Sequence, residues 1–147
     1  MKTIVVPIDF SDVTEKVVDT AASLAAAFGS RVILLHVADP EPDFVGYDPG
    51  PLSVRVAVAA DIHGDIKRLD AYKPKFGGAD VLTLHAQGPS PDEIITIARD
   101  HGADLIVMGS HGHGALFHLL TGSVTTAVLK HAPCPVLIVP SGPRAEQ

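Results

Sequence analysis

Apolar runs of strand length alternate along this chain with longer segments whose apolar residues recur at helical spacing. The runs predict strands at Thr3 to Ile8, Arg31 to Val37, Asp80 to Ala86, Ala103 to Met108 and Pro135 to Val139. They are continuous rather than alternating, which is typical of parallel strands covered on both faces. The pattern therefore predicts an α/β protein built on a five-stranded parallel sheet.

Four helical segments separate these strands. They are a helix capped by Ser11 or Asp12 and ended by Gly29, a weaker one from about Leu52 to Tyr72, one from Pro91 to His101 capped by Ser90, and one from Gly122 to His131. Ser and Asp side chains accept hydrogen bonds from the free N–H groups of a first helical turn, and glycine favours the left-handed conformation that ends a helix. The segment from Ala38 to Pro51 holds four prolines and four acids and predicts a loop.

The alternation of strands and helices also predicts how the sheet is ordered. Right-handed crossovers between strands favour a doubly wound sheet with helices on both faces. If the strands lie in the order 3-2-1-4-5, the crevice that binds ligands in such sheets lies between strands one and four. Asp9 directly follows strand one and would face that crevice, or serve as an ordinary helix-capping acid.

A length of 147 residues with 46% apolar residues fits a single domain, which we place at residues 1–141, followed by a tail at 142–147.

Composition narrows the classes of function. Eleven Lys and Arg residues against 17 Asp and Glu give a net charge of −6 without a basic cluster, which argues against general nucleic-acid binding. The apolar runs are too short to span a membrane and the first residues do not resemble a signal peptide, so we expect a cytoplasmic protein without membrane contact. The lone Cys134 excludes an internal disulfide and predicts a buried, inert thiol.

A glycine-rich segment follows the fourth predicted strand. Gly109, Ser110 and Gly112, with Gly122 and Ser123 further on, surround a junction between that strand and the last helix. Glycine lets the backbone approach a ligand closely, and the N–H groups at a helix start attract an anion. The segment therefore predicts a phosphate site held by backbone groups, with simple turn formation as the alternative.

Two other nucleotide motifs are excluded. A Walker loop needs a Gly-Lys pair, which the chain lacks. The dinucleotide fingerprint belongs after the first strand, whereas Gly112-His113-Gly114 follows the fourth and has Phe117 in place of the last glycine.

Histidines are the remaining candidates for site chemistry. His111, His113 and His118 lie in or beside the glycine-rich segment; three imidazoles so close in sequence can ligate a transition metal, but a phosphate-facing donor role is favoured. His36 is interpreted as a packed strand residue and His85 as a surface or element-end position. We therefore predict no metal site formed by side chains.

Several segments together resemble the universal stress protein family and, within it, the nucleotide-binding branch. They are IVVPIDFS at 4–11, LLHV at 34–37, GADLIVMGSHGHG at 102–114 and TGSVTTAVLKHAPCPVLIVP at 121–140. The branch's signature G-x2-G-x9-G-[ST] stands complete as Gly109, Gly112, Gly122 and Ser123. The resemblance implies a Rossmann-like fold of the adenine nucleotide alpha hydrolase type and an ATP-binding regulator or sensor of the stress response.

The resemblance also implies roles for individual residues. Asp9 would approach the ribose or a phosphate-bound Mg²⁺, and the backbone of Val37 would contact the adenine edge. Gly109 and Gly112 would line the ribose and phosphates, whereas Gly122 and Ser123 would donate amide and hydroxyl groups to the phosphates. The predicted site is completed by Pro7, Met108, Ser110, His113 and Val124.

Three hypotheses for function follow. A protein that binds ATP and changes state with it comes first, and a slow ATPase second, because Asp9 is the only well-placed acid and no arginine lies near the glycine-rich segment. The third is a nucleotide-free interaction module acting through dimerisation, since Val136 to Val139 would form an unpaired apolar edge. The resemblance implies a homodimer through that strand. AMP or cyclic AMP in place of ATP stays open, as does the identity of any protein partner.

Overall fold

Within residues 1–38, 62–110 and 124–140, which the computed structural model describes, five strands form one parallel sheet. The strands are β1 (Thr3–Pro7), β2 (Arg31–Ala38), β3 (Val81–Gln87), β4 (Leu105–Gly109) and β5 (Val136–Val139). Their order is β3-β2-β1-β4-β5, which confirms the predicted doubly wound topology. The reversal of strand order therefore falls between β1 and β4, where such sheets bind ligands.

Helices cover both faces of the sheet. The described residues contain α1 (Thr14–Phe28), α2 (residues 62–70), a short 3-10 helix (Lys73–Phe76), α3 (Ser90–Asp100) and α4 (Val124–His131). Buried residues of α1 and α2, such as Val17 and Leu69, pack on one face, whereas Ile94 of α3 and Val128 of α4 pack on the other. None of the helices described is long and apolar enough to cross a membrane.

Successive residues of the central strands alternate between two cores. Ile4 and Val6 of β1 belong to the core beneath α1, while Val5 belongs to the core beneath α3 and α4. All three side chains are inaccessible to solvent. Burial on both faces explains why the strands are continuous apolar runs rather than alternating ones.

The helix ends only partly match their prediction. Gly29 ends α1 in the left-handed conformation, as expected. The predicted cap by Ser11 or Asp12 is wrong, because the residue before α1 is Val13 and no side-chain hydrogen bond caps it in the described structure. A turn connects β1 to α1 instead. In it the N–H of Ser11 donates to Oδ1 of Asp9, and Phe10 adopts a φ of 59°.

Other helix and strand boundaries differ slightly from those predicted. Pro89, not Ser90, is the N-cap of α3, so Ser90 lies in the first helical turn. Ala38 belongs to β2 rather than to the predicted loop, of which residues 39–51 lie outside the described residues. The predicted helix from Leu52 to Tyr72 is observed at residues 62–70, and residues 52–61 also lie outside. The last helix is described from Val124, and residues 141–147, which include the predicted tail at 142–147, lie outside the described residues.

Candidate functional site

A cavity of about 490 Å³ opens where β1 and β4 separate. The two strands pair only at Ile4 with Leu105 and at Val5 with Ile106, so their carboxyl ends diverge. A volume of this size is typical of small-molecule sites, which occur at this position in doubly wound sheets.

Seven of the predicted site residues line this cavity. They are Pro7, Asp9, Val37, Met108, Gly109, Ser110 and Val124. The other predicted residues are Gly112, His113, Gly122 and Ser123, which lie outside the described residues. The topology thus brings the ends of three strands and the start of α4 to one place.

One wall of the cavity is apolar. Leu35 and Val37 of β2, Met108 of β4 and Ile94 of α3 line it. These residues belong to, or pack against, the core beneath α3 and α4, which fixes their positions. A flat heterocycle could replace water against such a wall and gain the free energy of apolar burial.

The opposite wall carries two buried hydroxyl groups. Oγ of Ser11 and Oγ1 of Thr14 are inaccessible to solvent and have no hydrogen-bond partner among the described residues. Both residues line the cavity. A buried hydroxyl without a partner costs about 1–3 kcal/mol, so a pair of them on one cavity wall suggests a ligand that completes their hydrogen bonds.

Hydrogen bonds tie α4 to the carboxyl end of β4. Oγ1 of the buried Thr125 donates to the carbonyl of Ser110 at 3.0 Å, and the N–H of Ser110 donates to the carbonyl of Val139 at 2.9 Å. Val124 and Thr125, the first described residues of α4, both line the cavity. The amino end of α4 is therefore held at the cavity, where its N–H groups and dipole favour an anion.

Asp9 is the one charged side chain among the described lining residues. It is exposed, and its Oδ1 accepts the N–H of Ser11 at 3.0 Å, so it stabilises the turn after β1 while lining the cavity. Asp9 thus lines the cavity as expected, whereas its alternative interpretation as a helix-capping acid is wrong, because it accepts from the turn before α1 and no side-chain hydrogen bond caps α1 in the described structure. An anion here would be held chiefly by backbone N–H and hydroxyl groups.

The sequence prediction missed four residues that line the cavity and carry hydroxyl groups. They are Ser11, Thr14, Ser90 and Thr125. Ser11 and Ser90 were interpreted only as helix caps. Their presence at the cavity depends on where α1 and α3 begin, and a one-residue to two-residue shift of a helix start redirects a side chain by a large angle.

The sequence profile of the Universal stress protein family matches residues 1–140. This chain belongs to the universal stress protein family. A universal stress protein of Thermus aquaticus is 34% identical over 140 residues, covering 94% of this chain and 98% of the relative.

Solved structures agree with this assignment. The structure of MJ0577, a universal stress protein of Methanocaldococcus jannaschii, superimposes with a TM-score of 0.80 at 30% identity and covers 97% of this chain and 98% of its own. A universal stress protein solved in complex with cAMP has a TM-score of 0.71 at 25% identity, covering 96% of this chain and 98% of its own. The fold of this universal stress protein is thus the family's fold.

A second group of polar side chains meets away from the cavity. His36 of β2, His85 of β3 and Asp65 of α2 lie within ligand distance of one another. The side chain of His85 is only 7% exposed, so its interpretation as a surface position is wrong, whereas the alternative, a position near the end of an element, agrees with its place near the carboxyl end of β3. His36 is a half-buried strand residue, as predicted, but it also contacts these polar partners.

Proposed function

We propose that this universal stress protein binds an adenine nucleotide in the cavity between β1 and β4 and acts as a nucleotide-dependent regulator or sensor in the stress response. The observation that carries the proposal is the cavity itself, which lies where β1 and β4 separate and is lined by the ends of β1, β2 and β4 and by Val124 and Thr125 of α4.

The chemistry of the two walls suggests how a nucleotide would be held. The apolar side chains of Leu35, Val37 and Met108 suit the adenine base, and the backbone at Val37 suits its polar edge. The amino end of α4 and the glycine-rich segment suit the phosphates. Gly109 and Gly112 would line the ribose and the phosphates, and Gly122 and Ser123 would donate amide and hydroxyl groups to the phosphates. Ser110 and His113 would lie beside them.

The negative charge of Asp9 is the reason to expect Mg²⁺ with the nucleotide. Its carboxylate is the one charged side chain among the described lining residues, and it would repel an uncompensated triphosphate. We therefore propose ATP bound with Mg²⁺, which the Asp9 carboxylate would help to hold and which would compensate the negative charge of the phosphates. Cyclic AMP is the second candidate, because a relative of the same fold is solved in complex with cAMP and a single phosphate needs less compensation.

The lining residues suit holding a nucleotide better than cleaving it. Hydrolysis needs a positioned water, a base and a cation at the terminal phosphate. Among the described lining residues Asp9 is the single titratable group, and it is already engaged with the Ser11 N–H. We propose that retained ATP, rather than ADP, accompanies the purified protein.

Equilibrium binding of ATP, ADP, AMP and cyclic AMP, with and without Mg²⁺, tests the proposal. We expect ATP binding that depends on Mg²⁺, is lost in Gly122→Val and loses its Mg²⁺ dependence in Asp9→Asn. Asp12→Asn is the matched control, because Asp12 is an exposed acid in the same turn and does not line the cavity. The proposal fails if no nucleotide binds at about millimolar concentration, the weak end of specific affinities.

We also propose a homodimer formed through β5. This strand lies at the end of the sheet and pairs with β4 alone among the described strands, and Leu137 on it is 37% exposed. An open apolar edge favours pairing with a second copy. Sedimentation should give a dimer for the parent and for Phe28→Lys, a control at an exposed apolar position on α1, but a monomer for Leu137→Lys. A dimer that persists in Leu137→Lys would contradict the proposal.

The cytoplasmic location of this protein stays a prediction.

A further inference from the structure

Two histidines and an aspartate meet on the face of the sheet opposite the apolar wall of the cavity. His36 and His85 are partners in the parallel register of β2 and β3, so their side chains leave the sheet on the same side. Asp65 of α2 lies over both, with Oδ2 at 3.6 Å from Nε2 of His36 and at 3.3 Å from Nε2 of His85. The ligand atoms of the three residues all lie within 4.8 Å of one another.

The hydrogen bond of His36 determines which ring nitrogen faces Asp65. Its Nδ1 lies 2.7 Å from the carbonyl oxygen of Ile8. A carbonyl oxygen only accepts hydrogen bonds, so Nδ1 carries the proton and donates it. In the neutral ring, Nε2 then presents a lone pair to the Asp65 carboxylate. Two electron-rich atoms face each other there, which is unfavourable unless a cation lies between them.

We propose that His36, Asp65 and His85 bind a divalent transition-metal ion of the zinc type. Tetrahedral Zn²⁺ with bonds of about 2.0–2.2 Å to imidazole nitrogen and carboxylate oxygen places neighbouring ligand atoms about 3.3–3.5 Å apart. The observed separations of 3.3 and 3.6 Å from Asp65 Oδ2 to the two imidazoles fit this geometry with small adjustments. Two imidazoles and one carboxylate leave a coordination position for water or a further ligand.

The surroundings of the cluster orient its ligands. The Ile8 carbonyl on Nδ1 of His36 is the kind of outer partner that fixes the tautomer and the ring orientation of a metal-bound histidine. The ring of Phe10 packs against His36 with 4.6 Å between centroids. Arg68 lies over Phe10, and its Nη1 is 3.8 Å from Oδ1 of Asp65, which leaves Oδ2 toward the histidines.

Burial supports a built site rather than a chance surface cluster. The side chains of His85, His36 and Asp65 are 7%, 15% and 24% exposed. Partial exposure of Asp65 leaves a path for an ion to enter. A proton would compete with the metal ion for the same lone pair on Nε2 of His36.

Titration of the chelator-treated, nucleotide-free full chain with Zn²⁺ tests the site, with Co²⁺ as a spectroscopic probe. We expect one Zn²⁺ per chain at this site and the visible absorption of tetrahedral Co²⁺. His36→Gln, Asp65→Asn and His85→Gln should each weaken Zn²⁺ binding by at least about tenfold, since even outer partners of a metal commonly contribute that much. His63→Gln is the matched control, because His63 is exposed on the same helix as Asp65 and should leave the affinity unchanged.

Three results would overturn the proposal. They are the absence of Zn²⁺ binding, unchanged affinity in the cluster variants, and binding that is abolished only by replacing His111, His113 and His118 together. If a cluster variant fails to fold, X-ray absorption of the Zn²⁺-loaded parent decides instead: two imidazoles and oxygen ligands support the site, and any other ligand set contradicts it. The experiment omits nucleotide, so its outcome is independent of the proposed function.

Discussion

Gly109 and Val13 approach so closely that a Cβ on Gly109 would lie 2.6 Å from Cγ1 of Val13. Gly109 ends β4, and Val13 directly precedes α1 and is 3% exposed. Both line the cavity. A glycine at this position therefore has a packing reason that is separate from any contact with phosphate: it lets the start of α1 lie against the end of β4.

Gly109→Ala should lower the free energy of unfolding by about 1–3 kcal/mol, the usual cost of an extra methyl group in a packed site. Chemical denaturation of the variant measures this. Gly78→Ala is the control, because a Cβ on Gly78 would meet no atom within 4 Å. In the double variant Val13→Ala/Gly109→Ala the clash is removed, so the loss should be smaller than the sum of the single losses. Strict additivity would contradict this explanation.

The two unpartnered hydroxyls allow stability and ligand binding to be separated. Thr14→Val and Ser11→Ala each remove a buried polar atom that has no partner in the described structure, so the free energy of unfolding should stay constant or rise. If these hydroxyls bind nucleotide, the same changes should weaken its binding by about 0.5–1.5 kcal/mol each.

Calorimetric titration and thermal unfolding of the same samples would show both effects. Thr20→Val is the matched control on α1: its Oγ1 donates to the Lys16 carbonyl at 2.7 Å, away from the cavity. Nucleotide affinity should be unchanged in that variant. A loss of stability in Thr14→Val without a loss of affinity would show that its hydroxyl serves the fold and not a ligand.

The strand order and the place of the cavity were predictable because each depends on few sequence features. Burial on both faces makes central strands such as β1 and β4 continuous apolar runs, and right-handed crossovers then restrict their order. Side chains that directly follow parallel strands collect at one edge of the sheet. Asp9 and Gly109 could be assigned to the cavity on that ground alone.

The unpredicted features depend on contacts between distant parts of the chain. Because Asp9 and Phe10 form a turn, α1 begins later in the sequence than predicted, and Ser11 and Thr14 lie at the cavity. His36 and His85 meet because of the register between β2 and β3, and Asp65 joins them because of how α2 lies on the sheet. Sequence periodicity specifies neither a register nor the packing of a helix.

Acid should weaken the attachment of β1 to β4 at the end of the sheet opposite the cavity. Oδ2 of Asp104 accepts the N–H groups of Lys2 at 2.7 Å and Thr3 at 3.0 Å, and these hydrogen bonds hold the pKa of Asp104 below its usual range. Because the folded-state pKa is the lower one, the stabilisation is present above the unfolded-state pKa of about 3.9 and is lost as pH falls through the folded-state pKa.

Asp104→Asn should therefore lower stability at pH 7 and reduce the dependence of stability on pH in the acid range. Urea denaturation across that range measures both effects. Asp100→Asn is the control, since Asp100 is an exposed acid at the end of α3. An unchanged acid limb in Asp104→Asn would show that other carboxylates dominate acid unfolding.

Cys134 should react slowly with alkylating reagents at neutral pH. Cys134 is half-buried rather than buried as predicted. This partial burial, and secondarily the negative charge of Asp104, raise the pKa of the Cys134 thiol, so less of the reactive thiolate is present than for a free cysteine. Asp104→Asn removes the charge and should shift the pH profile of alkylation to lower pH. The rate at high pH separates two explanations. If the variant only opens the local structure, the rate rises at every pH without a shift of the midpoint, and the electrostatic explanation is wrong.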